Sequence, residues 1–210
     1  LNSGSRVVFF PARSFRITRT IVIDSPNLAE IVGMEATVQS VGEFFVPKNH
    51  TVQAPAIVRV ERCAPVLTIR QLTHETRGWG CPAPLWCKAV FLEHASASTI
   101  VLRHLLHGGV VSSPPRGGAA LGDLFAEDVC CGAFHLRLPQ RAWLRQLNIE
   151  NRGVHLSVSG GAQAWVLGMK TEQAGGEQIH VDGPGSEVEV LGGFFMPFDG
   201  MVGNADPAAV

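Results

Sequence analysis

Thr68–Glu75 reads Thr-Ile-Arg-Gln-Leu-Thr-His-Glu, and the chain returns to that text. Val101–Gly108 is Val-Leu-Arg-His-Leu-Leu-His-Gly, Trp143–Glu150 is Trp-Leu-Arg-Gln-Leu-Asn-Ile-Glu, and Trp165–Glu172 is Trp-Val-Leu-Gly-Met-Lys-Thr-Glu. Superposed, they place Arg70, Arg103 and Arg145 at one site, with Leu167 in the fourth copy. Leu72, Leu105, Leu147 and Met169 share a second site, and Glu75, Glu150 and Glu172 a third. The copies lie 33, 42 and 22 residues apart, and the step of 42 divides because Phe125–Gly132 (Phe-Ala-Glu-Asp-Val-Cys-Cys-Gly) fits between as a weaker copy. Short apolar strands recurring at a period in the low twenties mark a solenoid, whose repeats bury their apolar faces only by stacking.

Each copy follows a companion strand: Val58–Glu61, Val90–Glu93, Phe134–Leu138 and Val154–Val158, while Ile179–Asp182 leads into Glu187–Leu191. Apolar and polar residues alternate along these strands, so one face points inward and the other outward. Upstream, Arg6–Phe15, Arg16–Asp24 and Ala29–Val41 add strands interrupted at Pro11, Pro26 and Gly33. Equivalent strands of successive coils stack as parallel neighbours, and the sheets cover one another across a hydrophobic cylinder. The pattern predicts an all-β chain, a right-handed parallel β-helix (solenoid) of about eight coils. It forms a single domain over residues 1–200, cut short at one or both ends, with a flexible tail over 201–210. Propellers and sandwiches need antiparallel hairpins, and two-residue hairpin turns are scarce here.

Composition agrees. Of 210 residues 46% are hydrophobic and 17% charged, with 23 Gly, 13 Pro and no Tyr, which favours short strands and tight turns. A formal net charge of −1 gives no general attraction for nucleic acid or an anionic membrane. No apolar run is long enough to span a bilayer. The chain opens Leu1-Asn2-Ser3 without Met, so a fragment of a longer protein is expected. Among five Cys, Cys81 and Cys87 bracket a Pro-rich loop that either a disulfide worth ~2 kcal/mol closes or two free thiols leave open. Cys130 and Cys131, adjacent on a strand, are expected to point to opposite faces and to share no ion.

Val7–Gly33, with its strand, Phe-Phe-Pro-Ala turn and second strand, resembles the first coils of pectate-lyase-like β-helix proteins. Trp143–Gly193 is similar to secreted bacterial β-helix proteins related to polygalacturonase-type glycosyl hydrolases. The resemblance implies a polysaccharide or oligosaccharide partner and a secreted or cell-surface location. It is carried by scaffold motifs. The Asn-Thr-Asp, Asp-Asp, His-Gly and Arg-Ile-Lys set of the polygalacturonases, the Asp-rich calcium cluster of the pectate lyases and the N-terminal capping helix are missing.

Three outward columns hold the candidate chemistry. His135, His155 and His180 are expected one above another, flanked by Arg137 and Asp182, as a substrate-binding row with room for a metal ion. No motif calls for another cofactor. Glu150 and Glu172, with Lys170 and Arg145, offer paired carboxylates for glycoside hydrolysis or a base for lyase chemistry. Trp143 and Trp165 stack as a sugar platform or as packing. Arg70, Arg103, Glu127 and Arg145 make an ion-pair ladder. Two functions follow: a polysaccharide lyase or glycoside hydrolase with substrate along an outward sheet face, or a non-catalytic β-helix module that binds carbohydrate or serves as structure.

Overall fold

The computed structural model describes residues 4–47, 55–75, 85–87, 90–150, 153–172 and 177–196. The chain opens with β1 (Val7–Phe10), β2 (Ser14–Ile17), β3 (Ile21–Asp24), β4 (Glu30–Ser40) and β5 (Phe45–Pro47). It continues through β6 (Val58–Arg62), β7 (Val66–Glu75), β8 (Leu85–Cys87), β9 (Leu92–His94), β10 (Thr99–Leu106), β11 (Val110–Ser112) and β12 (Leu124–Cys130). It closes with β13 (Phe134–Leu136), β14 (Arg141–Ile149), β15 (Leu156–Ser159), β16 (Gln163–Glu172), β17 (Ile179–Asp182) and β18 (Glu187–Met196).

These strands wind into a parallel β-helix. The larger sheet runs β1-β4-β7-β10-β12-β14-β16-β18, with β2 also on β4, and the smaller runs β17-β15-β13-β11-β9-β6-β3. Among the described residues only β5 and β8 pair antiparallel, outside the two main sheets. The register follows the text of the repeats: Thr68, Val101, Phe125, Trp143 and Trp165 are successive partners, and Glu189 extends the row. Leu147 and Met169 face each other directly.

Each long strand carries a corner. Gln71, His104, Asp128, Gln146, Gly168 and Gly192 have φ of 58°, 52°, 54°, 54°, 77° and 79°, and they stack at one position of the coil. A left-handed residue turns the chain without ending its hydrogen bonds, so a repeat read as one strand is two arms at an angle. The turn also shifts the phase of burial. In β7 the inward residues are Leu67 and Ile69 on the first arm, then Leu72 and His74 on the second. Inward residues therefore fall at spacings of two, three and two, which keeps both arms facing the core. In β4 the corner holds extra residues, since Val32 pairs Arg70 while Ala36 pairs Leu72.

The core is a bundle of columns. Leu67, Ile100, Leu124, Ala142 and Ala164 form one and Ile69, Leu102, Ala126, Leu144 and Val166 the next, all buried. Val58, Leu92, Val110, Phe134 and Leu156 close the cylinder from the smaller sheet. Each fully buried Leu or Ile contributes ~1.5–3 kcal/mol.

Candidate functional site

The first-arm face of the larger sheet is the most structured surface. Phe125 stacks on Trp143 with ring centroids 4.7 Å apart and planes 9° off parallel, and Trp143 on Trp165 at 5.2 Å and 18°. They stack because in-register parallel pairing repeats the same side-chain position every ~4.8 Å, close to ring contact distance. The Arg141 guanidinium lies 5.5 Å from the Trp143 ring centre. Beside the rings, Glu127 takes Arg103 at 3.2 Å and Arg145 at 3.4 Å, while Arg70 holds Glu30 at 2.7 Å. Further along the row, Leu167 and Leu191 replace the charges and are 55% and 56% exposed. The three rings, the Arg103–Glu127–Arg145 ladder and the two leucines line a trough of about 610 Å³ that spans several coils.

This geometry decides how the tryptophans act. Both faces of Trp143 are covered by neighbouring rings, and one face of Trp165 by Trp143. A sugar ring cannot stack flat on Trp143, so what that residue offers a ligand is its ring edge.

The paired carboxylates lie round the corner on the second arms. Asn148 and Lys170 are register partners, so Glu150 and Glu172 follow on neighbouring coils. Lys170 Nζ is 3.8 Å from Glu150 Oε1 and also pairs with Glu172. Asn148 Nδ2 donates to Glu150 Oε1 at 2.8 Å. Glu150 is exposed and Glu172 half-buried. Arg145 does not join them: the corner at Gln146 separates it, and Glu127 occupies it. Glu75 is coils away and accepts from Gln39 Nε2 at 2.7 Å. His74, next to Glu75 in the strand, points inward and is 1% exposed.

The histidine row is broken. His135 pairs in register with Ser157 and Ser157 with His180. His155 precedes β15 and turns into the core, 1% exposed, so it leaves the outward row. His135 and His180 are then two coils apart, ~10 Å by strand spacing, while donors sharing one zinc lie within ~4 Å. No shared ion fits them. Burial, with the nearby Arg137 cation second, lowers the His135 pKa. His180 Nδ1 lies 2.8 Å from Glu177 Oε1. Arg137 and Asp182 are both exposed, at the outer end of this face.

Two sets of residues escaped the sequence reading. Cys131 has φ 68° where β12 ends, which swings its sulfur to that of Cys130, and the two form a disulfide. The expectation of opposite faces fails because alternation stops at a left-handed residue. Gly132, next in line, has no room for a side chain against the backbone of Gly108 and Gly109 in the coil below. Glu150 stands near both sulfurs, within 4.8 Å between ligating atoms, but sulfurs bonded to each other leave no thiolate pair to ligate. Cys81 lies outside the described residues and Cys87 is described only as backbone, as does the tail 201–210 lie outside them. The second set is inside the core. His94 Nδ1 accepts from Gln140 Nε2 (2.8 Å) while its Nε2–H donates to Ser98 O (3.2 Å), and His74 contacts Ser40 Oγ (3.3 Å) and His107 O (3.4 Å). Burial lowers both pKa values to about 4.

Compared with protein families, curated proteins and solved structures, the chain gives no match. Among the described residues no helix is long and apolar enough to cross a membrane.

Proposed function

We propose that the chain is a non-catalytic β-helix module of pectate-lyase-like type that binds an extended carbohydrate along its first-arm face. The observation that carries this is the trough, whose lining from Val66 to Leu191 repeats with the coils. A polymer laid along the axis meets a register-equivalent position every ~4.8 Å. Ring edges, indole N–H groups and the Arg103–Glu127–Arg145 ladder suit a ligand that is part apolar and part hydroxyl. The lyase or hydrolase alternative rests on Glu150 and Glu172, both of which already pair with Lys170.

The test is a polysaccharide and oligosaccharide panel read by tryptophan fluorescence and calorimetry. Reducing ends and unsaturated uronates are assayed on the same samples. A saturable response, lost in Trp143→Ala and kept in Glu150→Gln, without product release, is the expected result. Product release that Glu172→Gln abolishes would establish the enzyme instead. No saturable response with any glycan would end the carbohydrate assignment.

A further inference from the structure

We propose that reducing the Cys130–Cys131 disulfide opens a zinc site, in which the two sulfurs and the Glu150 carboxylate hold one ion. Thiolate sulfur suits a borderline-soft divalent cation, and two thiolates with one carboxylate leave the fourth tetrahedral position to water.

The backbone, rather than the sulfur–sulfur bond, puts both cysteines on one side. Cys130 O accepts from Gly108 N at 3.1 Å in the preceding coil, and Cys131 N donates to Asn148 O at 2.6 Å in the following one. Between them Cys131 takes its left-handed φ of 68°, and Gly132 behind it is pinned, since a Cβ there would lie 2.0 Å from Gly109 N. Coils on both sides therefore fix the step that brings the sulfurs together. Once the bond is cut, the sulfurs part to ordinary contact. A tetrahedral ion with bonds of ~2.3 Å to sulfur sets its two sulfurs ~3.7 Å apart, which is about that contact distance.

The third ligand is already placed. A Glu150 oxygen and the two sulfurs all lie within 4.8 Å of one another, with the cysteines half-buried and Glu150 exposed. Asn148 Nδ2 donates to Glu150 Oε1 at 2.8 Å and reaches Cys130 Sγ at 3.7 Å, so one amide orients two of the three ligands, as outer partners of metal ligands do. The other end of that amide, Asn148 Oδ1, is buried and has no partner among the described residues. Lys170 also pairs with Glu172, so Glu150 can turn to an ion without stranding the ammonium.

The chemistry balances with a dithiol as reductant. It supplies the two electrons and two protons that turn the disulfide into two thiols, and is itself closed to a disulfide. Zinc then displaces both protons, because each sulfur ligates as thiolate.

The test is zinc titration of the whole chain by calorimetry, oxidised and after a dithiol has been added and removed without air. Buffers of different ionisation enthalpy read the protons released. The expected result is one zinc per reduced chain with two protons released, no binding by the oxidised chain and unchanged circular dichroism on reduction. Cys81→Ser/Cys87→Ser is expected to keep this redox-dependent binding, and Cys130→Ser/Cys131→Ser to lose it. Losing an outer partner alone costs a metal site about tenfold or more, so Glu150→Gln, an exposed change that leaves the coil intact, is expected to weaken zinc at least that much. Equal binding by the oxidised and reduced chains overturns the proposal. So does a disulfide that the dithiol leaves closed, a fold lost on reduction, binding that goes with Cys81 and Cys87, or a Glu150→Gln protein that holds zinc as tightly as the wild type.

Discussion

Leu144 and Val190 stand in one inward column, two coils apart, yet Leu144 is 1% exposed and Val190 only partly buried. Nothing about the strands differs: both alternate, both turn a left-handed corner, both pair in parallel. The difference is that, among the described residues, β14 has a coil on each side and β18 only on one. In a solenoid, burial belongs to the contact between coils more than to the residue, so stability is set by neighbours.

Acid should disturb this ranking most. His74 and His94 sit in interior coils with pKa values near 4, below the ordinary 6.5. Their folded forms are neutral, so the unfolded chain binds the protons first. Stability is full above about pH 6.5 and drains as pH falls toward 4, by up to ~3 kcal/mol per histidine. Urea unfolding at pH 7 and 4.5 measures the loss, and a loss of equal size in a His74→Gln/His94→Gln protein would assign it elsewhere. At neutral pH, Leu144→Ala should cost ~3 kcal/mol and Val190→Ala under ~1 kcal/mol, because the end position has less contact to lose. Equal costs by chemical denaturation would mean that the last coil is covered.

Smaller effects probe the corners. Gly168 has φ 77° with open space where a side chain would begin, so Gly168→Ala should cost ~1 kcal/mol through backbone strain alone. Gln146→Gly, at the same place one coil away, should gain a few tenths in a thermal melt. Smallest is Glu127→Gln, which removes two surface ion pairs and should cost less than ~1 kcal/mol; its melting curve should nearly overlay the wild type.

The larger sheet was legible because its repeats carry matched text at both ends. Arg70 over Arg103 and Leu147 over Met169 fix the register twice. The smaller sheet offered only alternation. Phe134-His-Leu and Val154-His-Leu look equivalent, but the true partner of Phe134 is Leu156. A slip of two residues leaves the alternation of a strand intact, so alternation cannot detect it, and His155, just before β15, turns inward besides. That slip produced the false histidine column. The corners were hidden for another reason: Gln71, His104 and Gln146 are not residues that announce a left-handed turn, and only the three-residue gap in the apolar pattern betrays them.

The single-residue corner also determines where this architecture tolerates added chain. From β7 onward the two arms are joined without slack, so an inserted residue there would throw one arm out of phase with the core. Length varies at the other turns instead: Leu106 reaches Val110 in a few residues, whereas Ser112 reaches Leu124 through a longer excursion past Arg116–Gly118. Foreign loops grafted on that side would decorate the cylinder while its perimeter stayed fixed.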